Sequence, residues 1–326
     1  MGTMSFGGDA DRETASAMYA ACRDAGINHF DTADVYNHGV SEQMLGALIA
    51  DHRDEIVLAS KAYFPTGADA NARGSSRFHL VRAVEASLKR LATDRIDLFY
   101  LHRFDDRTPL SESLRALDDL VRAGKIVYPA LSNFAAWQAA KAVAMADANG
   151  WARPAAIQPM YNLVKRQAEV EILPMAASEG LAVFSYSPLG GGLLSGKYGA
   201  SIRPNSGRVL DSPMYATRYG AAFNFEVAEA FTQLARRTEH HPVSLAVAWV
   251  ASHPAITAPL IGARNLEQLR PALAAIEIDM TAELRREISA LSPSPGPATD
   301  RNEEASGDNY AAVLSRPDQT SLDRSR

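Results

Sequence analysis

Along most of this 326-residue chain, short apolar runs of strand length alternate with amphipathic stretches of helical length. No other feature constrains the fold as tightly. Strands are expected at Ile56–Lys61, Ile96–His102, Ile126–Ser132, Ala155–Gln158, Leu181–Ser185 and Ala258–Ile261. Helices are expected between them, over Phe78–Leu91, Leu110–Ala123, Ala135–Asn149, Glu169–Glu179, Val243–Ala251 and Leu266–Ala275. The first and clearest of these helices spaces Leu80, Val81, Val84, Leu88 and Leu91 along one face. With the strand that ends in "HFDTADVY" at residues 29–36, the chain makes seven strand–helix steps. Such repetition dictates a parallel sheet with right-handed crossovers.

Two closures satisfy it, an open doubly wound sheet and a (β/α)8 barrel. An open nucleotide-binding sheet carries Gly-x-Gly-x-x-Gly after its first strand, and none opens this chain. A barrel instead sets its functional groups at the C-terminal ends of several strands. Here the strand ends carry Asp31, Lys61, His102, Ser132, Gln158 and Tyr186. The expected fold is therefore α/β, a TIM-type (β/α)8 barrel over residues 1–291. Its remaining strand must come from Met1–Met4, which makes that first strand incomplete. Residues 292–326, rich in Ser, Pro, Asp and Arg, read as a mobile polar tail, with a short apolar segment at Tyr310–Leu314.

The net charge of -5 gives no electrostatic footprint for nucleic acid or an anionic membrane. No apolar run reaches the ~20 residues that span a bilayer, and the start shows no signal-peptide pattern. A cytoplasmic protein is expected. Cys22 is the single cysteine, so an intrachain disulfide is ruled out, and its helical setting makes it a small core residue.

Asp31, Tyr36, Lys61 and His102 form one ionisable layer at the barrel mouth. A phenol is a poor acid at neutral pH. A lysine beside it is expected to lower its pKa, and a carboxylate keeps that lysine charged. A histidine can hydrogen-bond a substrate oxygen, so the four make a proton donor with a small oxyanion site. Each alone has a blander reading: a strand-end aspartate usually serves a turn or a cap. Asp34 keeps that reading, and the other seven histidines are read as structural. His240 and His241 diverge on a helix and lack further ligands, so no metal is expected.

The stretches "GINHFDTADVYNHGVSEQMLG", "VLASKA", "IDLFYLHRFD", "ALSNF", "IQPMYNLVKR", "FSYSPLGGGLLSGKY" and "LIGARNLEQL" together resemble the aldo-keto reductases, over roughly residues 2–291. The resemblance implies a barrel that binds NADP(H) without a Rossmann domain. It implies Tyr36 as general acid, with Lys61, Asp31 and His102 around it. For the nicotinamide it implies Ser132, Asn133 and Gln158 at the carboxamide and Tyr186 stacked on the ring. Gly2, Thr3, Met4 and Asp31 would border the cofactor. Ser187, Leu189, Gly191 and Lys197 would form the pyrophosphate belt, where glycines let backbone amides approach an anion. After the last strand, Ile261 and Gly262 would line the site, Arg264 would read the 2′-phosphate, and Gln268 would lie near the adenosine.

The chain departs from the family pattern in its short start, in Pro271 and Ala272 at the adenine site, and in Gly262 where many members carry lysine. Arg264 is then the main phosphate reader. Phe6, Phe64, Arg103 and Phe104, with Trp137, are the expected substrate wall. The expected activity is reversible NADPH-dependent reduction of an aldehyde or ketone by a monomer or weak homo-oligomer acting on a small molecule. Two other readings stay open: a redox-sensing regulatory subunit with slow turnover, and an aldolase using Lys61 as a Schiff-base lysine.

Overall fold

The computed structural model describes residues 1–302, so most of the expected tail, Tyr310–Leu314 included, lies outside the described residues. Seven parallel strands form one curled sheet in chain order. They are β1 (His29–Asp31), β2 (Val57–Ala62), β3 (Ile96–Leu101), β4 (Ile126–Ser132), β5 (Ala156–Gln158), β6 (Ala182–Ser185) and β7 (Ala258–Pro259).

The missing stave is nearly bare backbone. Asp31 N donates to Met1 O and Thr3 N to Asp31 O, both at 2.8 Å, in the manner of a parallel ladder. On the other edge Gly2 N donates to Ile261 O at 2.7 Å. Residues 1–3 thus bond to β1 and to the segment after β7, although only Gly2 makes a bridge with Asp31 and the barrel is not closed by a full ladder. Side chains secure the seam. The buried Ser41 hydroxyl donates to Thr3 O at 2.8 Å and lies 2.9 Å from the hydroxyls of Thr3 and Thr32.

The helices begin and end where local chemistry places them. Asp11 and Ser76 cap the helices Arg12–Asp24 and Arg77–Leu91 through the backbone N–H of Thr14 and His79. Gly150 ends Ala136–Asn149 at φ 63°, and Trp151 N donates back to Ala146 O, turning the chain into the approach to β5. The expected helix over 169–179 is shorter, a 3-10 turn at Gln167–Glu169 followed by Ile172–Glu179. The last expected strand shrinks to Ala258–Pro259, since proline offers no N–H to continue a ladder.

Two cores result. The larger lies between the sheet and its helices and includes Cys22, as expected. The smaller lines the inward positions of the strands: Ala59, Leu98, Tyr100, Ala130 and Ala156, with Ala182 and Phe184 against them. Period-two alternation carries this inward face up to Asp31, Lys61, Ser132, Gln158 and Tyr186 at the C-terminal ends.

Candidate active site

Lys61, the penultimate residue of β2, has a fully buried side chain. Its Nζ makes a short ion pair with Asp31 and donates to Thr32 O at 2.8 Å. The second Asp31 oxygen accepts from Gln158 Nε2 at 2.8 Å, so both oxygens are engaged. Tyr36 lies over the pair, with its ring centroid 5.2 Å from Nζ. The Tyr36 and His102 rings meet edge-on at 6.0 Å. The four residues from four positions in sequence therefore form one cluster, and Lys61 is the group they share.

The phenol of Tyr36 is held by a tight turn. Asn37 and His38 take left-handed backbone angles, φ 48° and 56°. The Asn37 amide donates to Met4 O at 2.9 Å and Phe6 O at 2.7 Å, fastening the turn to the first loop. Asn tolerates this conformation better than most residues, and here its side chain also secures the turn.

Electrostatics departs from expectation at Tyr36. Burial raises the phenol above its ordinary value, and the Lys61 charge lowers it only in part. The phenol is thus protonated at neutral pH, rather than tuned downward. Burial alone would depress Lys61, but Asp31 and Tyr36 more than offset it, and its ammonium stands above the ordinary value. A charged amine is not a nucleophile, which counts against the Schiff-base reading. Burial, then the Lys61 charge, hold His102 well below its ordinary value, so its imidazole is neutral.

Asp34 is also corrected. It is buried, and neither carboxylate oxygen has a partner. Its backbone N–H donates to Lys61 O at 3.1 Å, and the Val35 backbone N–H works against the rise of its pKa. Burial and the nearby Glu42 carboxylate raise its pKa to about 8, with Arg90 and Lys61 opposing.

A cavity of about 800 Å³ opens over this cluster. Asp31, Tyr36 and His102 line it, and so do Arg264 and Gln268. Gly2, Met4, Ser132, Asn133, Gln158 and Tyr186 border it, as do Ser187, Leu189, Gly191, Lys197, Ile261 and Gly262. Thr3 does not, because its hydroxyl is committed to the buried seam with Ser41. The amides expected at the carboxamide are partly committed. Asn133 Nδ2 donates to His102 O at 2.9 Å, and its oxygen accepts from Tyr186 OH at 2.7 Å. Gln158 spends its amide N–H on Asp31.

Of the expected substrate wall, Phe64 and Arg103 line the cavity and Phe64 packs edge-on against His102 at 4.9 Å. Phe6 is fully buried in the core. Phe104 packs on Phe134 and Trp137, at 5.3 and 5.9 Å, away from the cavity. The long segment 190–222, whose Arg208, Tyr215 and Arg218 the sequence marks as able to fold over cofactor and substrate, does reach the cavity through those three residues. Sequence reading missed Met214, on the same helix Pro213–Tyr219 as Tyr215 and Arg218. It also missed Asn162, whose buried amide donates to Ser187 O at 2.9 Å and pins the loop that follows Tyr186. His241 caps the helix Pro242–Ala251 and lines the cavity as well. Among the described residues, no group of acids, histidines or cysteines is set to hold a metal ion. No helix there is long and apolar enough to cross a membrane.

The donor set suits the phosphates of a dinucleotide. Lys197, Arg208 and Arg264 gather at one part of the cavity, and burial with the two neighbouring guanidiniums lowers the Lys197 pKa. An aromatic face, Tyr186, and the amides of Asn133 and Gln158 line the same cavity.

The chain is also similar to known proteins. A family model described as "Aldo/keto reductase family" matches residues 1–293. The chain is 38% identical over 312 residues to "Uncharacterized oxidoreductase YrpG" of Bacillus subtilis (strain 168), covering 92% of this chain and 93% of that one. It is 36% identical over 296 residues to "Aflatoxin B1 aldehyde reductase member 2" of Rattus norvegicus, covering 85% and 79%. To "Probable voltage-gated potassium channel subunit beta" of Oryza sativa subsp. japonica it is 32% identical over 296 residues, covering 88% and 90%.

Proposed function

The chain belongs to the aldo/keto reductase family, and on that premise we propose that it reduces an aldehyde or ketone to the alcohol with NADPH, reversibly. One observation carries the reading: a fully buried lysine, paired with Asp31 and set under the Tyr36 ring, behind the Asp31 and Tyr36 side chains that line a cavity large enough for cofactor and substrate.

A reduced nicotinamide cofactor supplies the hydride for the carbonyl carbon. Tyr36 donates its phenolic proton to the carbonyl oxygen. The Lys61 ammonium stabilises the phenolate that remains, and Asp31 keeps that ammonium charged and in place. Neutral His102 gives the carbonyl oxygen an N–H donor without competing for the proton. Ser132, Asn133, Gln158 and Tyr186 would hold the nicotinamide end. Ser187, Leu189, Gly191 and Lys197 would hold the phosphates, and Arg264 and Gln268 the adenosine end.

Tyr36→Phe is expected to lower turnover of a simple aldehyde at least about a hundred-fold. NADPH affinity by fluorescence titration should change little. Loss of both together would make Tyr36 a structural residue and end the assignment.

The likeness to a channel β-subunit supports a second reading, a cofactor-sensing regulatory protein. Single-turnover kinetics separates the two. Slow oxidation of bound NADPH by every aldehyde offered would favour the sensor.

A further inference from the structure

The first loop brings an acid to the cationic part of the cavity. Asp9 Oδ2 lies 3.0 Å from Arg264 Nε and 3.8 Å from an Arg208 terminal nitrogen. Arg264 follows β7, whereas Arg208 begins the short helix Arg208–Asp211 within the long segment after β6. Both guanidiniums line the cavity beside Lys197. One carboxylate from a third loop therefore binds two of the three cations available to a phosphate. Asp9, Arg208 and Arg264 are all partly open to solvent, so these charges can exchange partners.

Resting on the NADPH reading, we propose that Asp9 sets the cofactor preference. Its carboxylate competes with the 2′-phosphate for Arg264 and Arg208 and holds down the discrimination between NADPH and NADH. Arg208 thereby becomes a second phosphate ligand. A phosphate that takes these guanidiniums must displace Asp9 or share them with it. NADH carries hydroxyl where NADPH carries phosphate, so it meets no such competition.

The test is a set of fluorescence titrations with NADPH and NADH on the full chain. Asp9→Asn should tighten NADPH about five-fold and move NADH less than two-fold. The gain should shrink as salt rises. In an Arg264→Ala background the same substitution should gain markedly less, because the contested group is gone. Arg208→Gln should weaken NADPH and spare NADH. Unchanged NADPH affinity in Asp9→Asn overturns the inference. So does an equal weakening of both cofactors, which would make Asp9 a clasp between loops. If Arg264→Ala affects NADPH and NADH alike, the phosphate reading of Arg264 itself has failed, whatever Asp9 does.

Discussion

At the scale of the residue, Asp34 shows how far burial can move a group from its sequence meaning. In "DTADVY" it reads as turn chemistry, yet the fold closes over both carboxylate oxygens beside Glu42. Its folded pKa of about 8 lies above that of an exposed aspartate, so the native state keeps a proton that the unfolded chain releases. The contribution of Asp34 to stability must then fall as pH rises from about 4 to about 8. Asp34→Asn, which resembles the protonated acid, is expected to melt above the parent at pH 8 and to converge with it near pH 4. A constant offset across pH would show that ionisation is not the cause. The legible residues were those whose position alone defines them. Asp31, Lys61 and His102 stand at strand ends, where a parallel sheet exposes them. Phe6 and Phe104 were misread because an aromatic in a loop has no periodicity to tell packing from lining.

At the scale of the element, the turn Tyr36–Gly39 and its fastening to the first loop matter most. Asn37→Ala removes the amide that holds Met4 and Phe6 carbonyls. The expected cost is about 1–2 kcal/mol of stability, seen as a lower melting temperature. Turnover should drop about ten-fold as the phenol loses its fixed aim. Unaltered turnover would mean that the backbone alone sets the turn. Helix against helix, Gly46 is required by contact. A Cβ there would stand 2.3 Å from the Leu91 carbonyl oxygen, so Gly46→Ala should cost at least about 2 kcal/mol. Denaturant melts would measure it. The strands and the six expected helices were legible to within a few residues because apolar spacing and glycine stops agree, whereas Val40–Ile49, Ala222–Arg237 and Ala282–Ser289 were not read as helices. The helices Arg208–Asp211 and Pro213–Tyr219 were not, because their segment reads as Gly, Ser and Pro punctuation and its shape comes from the cavity wall it covers.

At the scale of the whole molecule, burial of neutral histidines sets the acid limit. His29 and His253 are both held near pKa 4, by burial first, and His102 lies well below its ordinary value. The unfolded chain takes up protons that the folded one refuses. The contribution of these histidines to stability is therefore retained above about pH 6.5 and lost progressively as pH falls toward 4, opposite in sign to that of Asp34. Melting curves over that range should steepen on the acid side, and His253→Gln should flatten part of the slope. The βα alternation made the parallel architecture legible, and the short stave at residues 1–3 was anticipated as an incomplete strand. What the sequence left open was how it would be held, because backbone bonds to Asp31 and Ile261 need no side-chain signature.

The inner wall of alanines has a consequence for how such a molecule can change. Ala59, Ala130, Ala156 and Ala182 leave Tyr100, Phe184 and Leu98 to occupy the interior. Enlarging any of the four would push on neighbours that have nowhere to go, so the floor beneath Lys61 resists renovation. The loops above it carry no such constraint. New substrate preferences can be grafted at Phe64, Arg103, Met214 and Arg218 while the proton-transfer machinery stays untouched, and a library confined to those positions would retain folded members far more often than one that reaches below.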